Sequence, residues 1–326
     1  VANDRLSGLF VQNGSIPFDL MPFISSPIGH NPRLGALFDC IPAQERGHEL
    51  LARLVRNNTE IGGQLFTTVS EIIGFEDIPA LVQRYNDTLW FGHREHSKLV
   101  IENGQIYING YKEDTCFIIE KLKELSTSGI QNYSSTVAAW LNTTGAGVDC
   151  AEKKTALKQM YVHSKVALIY GSAGTGKSTL IDHVAHFFAD KRKLFLAQTN
   201  PAVDNLKRRV TASNCTFSTI AKFLWRQTVL TDYDIVVIDE SSTVSNADMR
   251  HILEKATYQL LLLVGDTYQI NSIRFGNWFS VARAFIPDTS VFELTVPYRS
   301  NDENLRTLWN RVRNMDDTIL ELIARQ

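Results

Sequence analysis

The chain has 326 residues, of which 44% are hydrophobic and 21% are charged, and its 33 basic and 35 acidic residues leave a net charge of −2. This composition excludes a disordered or collagen-like chain, and no apolar run approaches the roughly 20 residues needed to cross a bilayer. The length favours two domains, and four widely spaced cysteines favour a reducing, cytoplasmic setting over a secreted disulfide framework. With so small a net charge, any nucleic-acid binding must use a local basic patch.

The first 144 residues predict a smaller α+β accessory domain. Amphipathic helices are predicted over 46–57 and 78–85. The runs 99–102 and 105–108 flank Asn103-Gly104, the strongest short signal for a β-hairpin. A small and polar stretch, 141–149, is typical of a linker, so a domain boundary is expected between residues 144 and 145.

The same hairpin suggests a rival site. The stretch from His96 and Lys98 to Gly110 resembles the HxKxxxxD motif of phospholipase D-like phosphodiesterases. In that family the histidine is the nucleophile, the lysine grips the phosphate and the acid orients the histidine. Asn103 stands here in place of the acid, so the resemblance implies a degenerate phosphodiesterase lobe. An ordinary hairpin with exposed side chains is the favoured interpretation.

From residue 165 onward, short β-branched runs alternate with helical stretches. Strands are predicted over 166–170, 193–197, 235–238 and 260–264. Helices are predicted over 177–191, 202–210, 247–255 and near 278–285. This alternation is typical of a parallel sheet wound with helices, so the fold class is expected to be α/β.

A phosphate-binding loop is predicted between the first of these strands and its helix. The sequence Gly171-Ser-Ala-Gly-Thr-Gly-Lys177-Ser178-Thr179 fits GxxxxGK[ST]. Backbone N–H groups of such a loop face phosphates, Lys177 reaches the β- and γ-oxygens, and the Ser178 hydroxyl ligates Mg²⁺. The predicted cofactors are therefore ATP and Mg²⁺. The predicted nucleotide contacts are Gly171, Gly174, Thr175, Gly176, Lys177, Ser178 and Thr179.

A pair of acids supplies the second element of the predicted site. Asp239 and Glu240 directly follow the apolar run 235–238, at the strand end where α/β proteins bind ligands. We expect Asp239 to hold the Mg²⁺ shell. Hydrolysis needs a base beside the γ-phosphate, so Glu240 is expected to orient or deprotonate the attacking water.

Further motifs follow these two sites in an order that resembles the first RecA-like motor domain of superfamily 1 helicases, most closely the RecD-like enzymes. The motifs are Thr199-Asn-Pro-Ala-Val-Asp-Asn-Leu206, Thr216-Phe-Ser-Thr-Ile-Ala-Lys-Phe-Leu224, Gly265-Asp266-Thr-Tyr-Gln269 and Val296-Pro-Tyr298-Arg299-Ser300. Together they cover about 149–312.

The resemblance implies a role for each of several residues. It implies that Gln269 senses the γ-phosphate, that Arg299 contacts it from the domain edge, and that Tyr298 packs near the adenine. It also implies that Thr199, Asn200 and Thr219 approach a nucleic-acid backbone. The partner is then single-stranded nucleic acid, with DNA favoured over RNA.

The chain also departs from this family. The glutamine expected before the phosphate loop falls at Lys153, which weakens the expectation of adenine specificity. A motor of this type needs a second RecA-like domain carrying a further arginine, and we expect that domain to be missing from this chain. The predicted organisation is an accessory domain over 1–144 and a RecA-like P-loop domain over 145–326.

The sequence thus predicts part of an ATP-dependent helicase or translocase. Two alternatives remain open: an ATPase that remodels protein complexes, and an ATPase that regulates the phosphodiesterase lobe. Either would use the same nucleotide site, so they differ in partner and not in chemistry at Lys177.

Overall fold

A computed structural model describes residues 43–143, 147–148, 150–225, 232–266, 275–296 and 311. The chain divides into two compact units, Val1–Cys116 and Phe117–Gln326. This division comes earlier than the predicted boundary at 144–145, because Ile118 and Leu122 belong to the hydrophobic core of the second unit. The domain bounds predicted from the linker composition stay a prediction.

The first unit consists of helices and a small antiparallel sheet. Its helices are α1 (Ala43–Glu60), α2 (Ile78–Thr88), α3 (Arg94–Ser97) and the first part of α4 (Asn109–Leu125), with a 3₁₀ turn at Val69–Glu71. Its strands are β1 (Thr67–Thr68), β2 (Leu99–Glu102) and β3 (Gln105–Ile108), arranged in the order β1-β3-β2. Apolar side chains of α1, α2 and this sheet pack together as the core of the first unit. They include Leu51, Val55, Val82, Tyr85, Leu99 and Ile106.

The predicted hairpin is confirmed. Leu99 pairs with Ile108 and Glu102 pairs with Gln105, so the turn contains two residues. Asn103 and Gly104 have φ values of 51° and 74°, the left-handed conformation that a two-residue turn of this kind requires. Asparagine and glycine accept that conformation at low cost, which is why this dipeptide specifies the turn.

The second unit is built on six parallel strands in the order β6-β5-β7-β8-β4-β9. The strands are β4 (Val166–Gly171), β5 (Lys193–Ala197), β6 (Cys215–Thr219), β7 (Ile235–Ile238), β8 (Leu260–Gly265) and β9 (Val291–Leu294). The remaining helices are α5 (Tyr133–Thr143), α6 (Ala151–Gln159), α7 (Lys177–Phe187), α8 (Asn200–Arg209), α9 (Ile220–Trp225), α10 (Asn246–Lys255) and α11 (Trp278–Ala282). Two 3₁₀ turns lie at Ser241–Thr243 and Asp288–Ser290.

Both faces of this sheet are covered. Along β4, Val166 and Leu168 belong to one hydrophobic cluster, and Ala167 and Ile169 belong to the other. Residues of α6, α7 and α8 complete the cluster on one face, and residues of α9, α10 and α11 complete the cluster on the other. The predicted α/β class, a parallel sheet with helices on both faces, is confirmed. In such sheets ligands bind beyond the carboxyl ends of the strands.

Within the part of the chain that the structure describes, no helix is both long and apolar enough to cross a membrane.

Candidate nucleotide and nucleic-acid site

The phosphate loop connects β4 to α7 through a tight turn that depends on its glycines. Gly174 and Gly176 have φ values of 88° and 84°, which other residues rarely adopt. A Cβ added at Gly171 would lie 2.7 Å from the hydroxyl oxygen of Thr175 and 2.9 Å from the carbonyl oxygen of Leu294. The Thr175 hydroxyl is buried and donates to the carbonyl of Ser172 at 2.9 Å, which holds the loop closed on itself. The sequence therefore forms the predicted loop immediately before a helix N-terminus.

Lys177 is held by this loop. Its ammonium group donates to the carbonyl oxygens of Gly171 at 2.6 Å and Ser172 at 2.9 Å. Burial lowers the pKa of Lys177, while the carboxylates of Asp266, Asp239 and Glu240 act in the opposite direction. Lys177 therefore lies in the field of carboxylates from the ends of two other strands.

Asp239 supplies a buried carboxylate at the end of β7. Its Oδ1 accepts the backbone N–H of Glu240 at 3.0 Å. Burial, and to a lesser extent the charge of Glu240, raise the pKa of Asp239 to about 6, and the cations of Lys177 and Arg209 partly oppose the shift. A carboxylate this costly to ionise would gain from a divalent cation beside it.

The conformation of Glu240 is unusual. Its φ of 54° and ψ of 39° lie in the left-handed region, where a residue other than glycine is strained. The Ser241 hydroxyl donates to the carbonyl of Ile238 at 2.9 Å, and the Thr243 hydroxyl donates to that of Glu240 at 2.8 Å. These bonds hold the turn that redirects the chain directly after Asp239. Backbone strain of this kind is concentrated at functional sites.

Asp266 had no predicted role, and the structure adds it to the site. It is 4% exposed, directly follows β8, and is the first of the carboxylates that support the charge of Lys177. Its signal in the sequence is the Gly265-Asp266 pair after a buried apolar run, the same pattern that singled out Asp239. Strand β8 lies between β7 and β4, so Asp266 follows the strand that separates Asp239 from the phosphate loop.

The oxygen donors at this edge fit a magnesium ion bound together with phosphate. Mg²⁺ in nucleotide sites takes one or two protein ligands and completes its shell with phosphate oxygens and water. Across the described residues, no group of three or more His, Cys, Asp and Glu side chains is arranged to hold a metal alone. The half-buried Ser178 begins α7 beside Lys177, whereas Thr179 is exposed. Ser178 and Asp239 are therefore the residues suited to an ion that arrives with a nucleotide.

Three predicted site residues lie outside the described residues. They are Gln269, Tyr298 and Arg299, and their assigned roles stay predictions. The chain leading to the last two is described: the Glu152 carboxylate accepts from the hydroxyl and the N–H of Thr295, at 2.5 and 3.1 Å. Lys153, at the position of the expected adenine-contacting glutamine, is fully buried within α6. Its amine is inaccessible to a base in this structure.

The three predicted nucleic-acid contacts come together at the same edge of the sheet. Thr199 follows β5 and caps α8, accepting the N–H of Ala202 at 3.3 Å. Thr219 ends β6, and its register partner Ala197 lies in the last position of β5. Thr199 and Asn200 are exposed, and Thr219 is half-buried. Small polar groups at neighbouring strand ends can approach a phosphate backbone closely.

The histidine and the lysine of the rival phosphodiesterase motif each contact a near neighbour. His96 is exposed on α3, and its ring packs so closely on Gly110 that a Cβ there would clash with it. The ammonium of Lys98 pairs with the carboxylate of Glu95 at 2.5 Å. The phosphodiesterase interpretation stays a prediction, and these contacts favour the ordinary hairpin.

Residues 150–326 match the protein family described as AAA domain. A conjugal transfer protein TraA of Rhizobium radiobacter is 24% identical over 290 residues, covering 81% of this chain and 25% of its own length. A protein of Sinorhizobium fredii named "Probable conjugal transfer protein TraA" is 29% identical over 158 residues, covering 47% of this chain and 14% of its own length. The chain thus spans a quarter or less of the relatives that it matches. Because the family match begins at residue 150, the likeness over 81% of the chain extends into its first half.

Among solved structures, the chain is similar to a crystal structure of the Pif1 helicase from Bacteroides in complex with ADP-AlF3 and single-stranded DNA. The two are 15% identical, with a TM-score of 0.37, over 51% of this chain and 46% of the other.

Proposed function

The chain belongs to the AAA domain family, and on that premise we propose that it is the first motor domain, with an accessory domain, of an ATP-dependent helicase or translocase. In this proposal, hydrolysis of Mg²⁺-ATP drives movement along single-stranded nucleic acid, with DNA favoured. The observation that carries it is the meeting of Lys177, Asp239 and Asp266 at one edge of the sheet. The residues proposed to contact nucleic acid, Thr199, Asn200 and Thr219, lie at the ends of neighbouring β-strands.

Each part of the nucleotide site has a task in hydrolysis. Lys177 and the N-terminus of α7 would bind the phosphates, and Ser178 and Asp239 would hold Mg²⁺, which would offset negative charge on the phosphate groups. Glu240 takes a proton from a water molecule as the water oxygen attacks the γ-phosphorus. The bond between that phosphorus and the bridging oxygen breaks, and ADP and phosphate are released.

The resemblance adds three residues to this proposal. Gln269 is assigned to sensing the γ-phosphate, Arg299 to stabilising charge on the transferring group, and Tyr298 to packing near the adenine. An arginine in that role can contribute a factor of about 10³ or more to the rate.

A direct backbone link supports coupling between hydrolysis and strand binding. The N–H of Asp239 donates to the carbonyl oxygen of Leu196 in β5 at 2.9 Å. Three residues beyond Leu196 is Thr199, the proposed strand contact that begins α8. A shift of Asp239 on loss of the γ-phosphate would therefore act on Thr199 and Asn200, which we call the strand-contact loop. It would act through one hydrogen bond and a short segment of chain.

The names of the curated relatives suggest the process that the motor serves. Both are named as conjugal transfer proteins, so we extend the proposal to a role in conjugal transfer. This extension concerns the whole protein, of which the matched region is a part.

Phosphate release from Mg²⁺-ATP, measured with and without a single-stranded oligonucleotide, tests the proposal. We expect the oligonucleotide to raise the rate severalfold and Lys177→Ala to abolish it. Hydrolysis that ignores every oligonucleotide would favour the protein-remodelling alternative. Cleavage of labelled DNA that requires His96 and not Lys177 would instead favour the phosphodiesterase.

A further inference from the structure

The first unit has the element order of a helix-turn-helix module followed by a hairpin. Helices α2 and α3 are joined by a short turn, β2 and β3 follow at once as a hairpin, and β3 also pairs with β1. Nucleic-acid-binding modules place such a second helix, and the turn before it, against their ligand. Helix α3 and the turn before it therefore occupy the position at which such modules contact nucleic acid.

That turn carries exposed aromatic rings. Trp90 is 60% exposed and Phe91 is 79% exposed, although large aromatic side chains usually lie inside. Their ring centroids are 4.5 Å apart, and the ring of His93 lies 5.2 Å from that of Trp90. We name the segment 90–93 the aromatic turn. The large exposed side chains of this segment are aromatic and not aliphatic.

The aromatic turn is held in place locally. The Trp90 ring lies over the backbone of Gly92, where an added Cβ would clash with it. Before the turn, the side chain of Asn86 accepts from the N–H of Leu99 and donates to its carbonyl, both at 2.8 Å. After it, Asn109 donates to the carbonyl of Glu95 at 2.9 Å. Rings fixed in this way lose little conformational entropy when a flat ligand stacks on them.

The charges beside the rings suit a polyanion. Arg94 and His96 are exposed next to the aromatic turn, and Arg94 is steadied by a long hydrogen bond of 3.4 Å to the carbonyl of Leu89. The nearby carboxylate of Glu95 is already paired with Lys98. A nucleic-acid strand whose bases lie on the rings would thus have the guanidinium group of Arg94 close to its phosphates.

We propose that the aromatic turn binds single-stranded nucleic acid by stacking bases on Trp90 and Phe91, with Arg94 contacting a phosphate. Helix α3 has four residues and is about 6 Å long, too short to lie along the major groove of a duplex, so stacking is favoured over groove reading. The choice of nucleic acid as ligand rests on the proposed function. The accessory region then adds a strand-binding site to the one predicted at Thr199 and Thr219.

Fluorescence anisotropy of a labelled oligothymidine, measured on the full chain without nucleotide, tests the stacking. Trp90→Leu and Phe91→Leu keep an apolar side chain and remove the π-face, and each is expected to weaken binding about tenfold. Ile73→Ala removes an apolar side chain that is 88% exposed in the same unit, and it is expected to change nothing. Gly92→Ala is expected to weaken binding by displacing the Trp90 ring.

A strand with abasic sites gives the sharper comparison. Wild type should bind it more weakly than oligothymidine, because the bases that stack on the rings are missing. The double variant Trp90→Leu/Phe91→Leu should bind the two strands alike, because it has no ring on which a base can stack. Equal affinity of wild type and the double variant for oligothymidine would overturn the proposal. The proposal would also be overturned if wild type bound a blunt duplex more tightly than oligothymidine. The same holds if Ile73→Ala lost as much affinity for oligothymidine as Trp90→Leu.

Failure of the proposed function would look different. If aromatic-dependent binding is found but ATP is not hydrolysed, stacking stands and the motor proposal fails. If an oligonucleotide stimulates hydrolysis while the double variant binds as wild type does, the motor proposal stands and stacking fails.

Discussion

The ammonium nitrogen of Lys177 lies 2.6 Å from the carbonyl oxygen of Gly171, the residue with which strand β4 ends. The phosphate loop thus closes on its own lysine, with the carboxylates of Asp239 and Asp266 close enough to support the charge. Because phosphate oxygens are stronger acceptors for an ammonium group than peptide carbonyls, a nucleotide can take over this donor without a large movement of the side chain.

Lys177→Ala is expected to weaken binding of a non-hydrolysable Mg²⁺-ATP analogue by about 10- to 100-fold, the range for loss of hydrogen bonds to a charged group. Isothermal titration calorimetry measures this directly. Thermal stability should not fall, because burial lowers the pKa of Lys177 and so disfavours its charged form in the folded state. Lys191→Ala, an exposed lysine paired with Asp190, is the control. Unchanged affinity in Lys177→Ala would contradict the assigned site.

The stability of the metal-free protein should depend on pH through Asp239. Its folded-state pKa of about 6 lies above the ordinary 3.8, mainly because the group is buried. Between these values the unfolded chain loses the proton first, so folding stability falls as pH rises from about 4 to 6 and is then level. Asp239→Asn should remove this penalty. The variant should gain up to about 3 kcal/mol over wild type above pH 6 and nothing near pH 4.

Denaturant unfolding in the presence of a chelator at pH 4, 6 and 8 checks this pH dependence. A wild-type stability that follows that of Asp239→Asn at every pH would show that Asp239 is not buried as described. Mg²⁺-dependent nucleotide binding should change in the opposite sense: wild type loses affinity below about pH 6, and Asp239→Asn is weak throughout.

Much of the nucleotide site could be predicted because local sequence determines it. GxxxxGK[ST] favours a glycine turn before a helix, and an apolar run followed by Asp239-Glu240 places two acids at a strand end, of which Asp239 is buried. Asp266 also follows an apolar run, but its place in the site depends on the strand order, with β8 between β7 and β4, and the sequence does not give that order.

Two strands of the six-stranded sheet escaped prediction for a related reason. Strand β6 is at the edge of the sheet, and Ser218 is the only buried residue within Cys215–Thr219, so the strand lacks the continuous apolar run of a central strand. Strand β9 is at the other edge. Its first three residues are half-buried, and only its last residue, Leu294, is buried.

The predicted helix 177–191 ends at Phe187, since the buried Lys193 ammonium binds the carbonyls of Phe188 and Lys191 that follow it.

Glu240→Gln should separate binding from chemistry. The amide keeps the size and polarity of the side chain but cannot accept a proton, so turnover should fall by about 10²- to 10⁴-fold while affinity for the ATP analogue changes little. Phosphate release at saturating Mg²⁺-ATP measures the loss. Glu254→Gln, at an exposed glutamate paired with Arg250, is the matched control. A turnover equal to wild type would assign the base to another residue.

The strand-contact loop allows a structural role to be separated from a binding role. The Thr199 hydroxyl caps α8, so Thr199→Val should lower stability by about 1 kcal/mol, whereas Thr199→Ser should not. Asn200 is exposed, and Asn200→Ala should leave stability within about 0.5 kcal/mol.

If both residues contact the strand, Thr199→Val and Asn200→Ala should each weaken oligonucleotide binding and its stimulation of hydrolysis, and Thr199→Ser should retain both. Anisotropy titrations between about 50 and 200 mM salt, combined with thermal melts, distinguish these effects, because contacts to phosphates weaken as salt rises. A binding loss in Thr199→Val alone, in step with its loss of stability, would mean that this loop serves only to begin the helix. Loss of binding in Asn200→Ala with an unchanged melting temperature would place the strand at the end of β5, beside the hydrogen bond that joins Leu196 to Asp239.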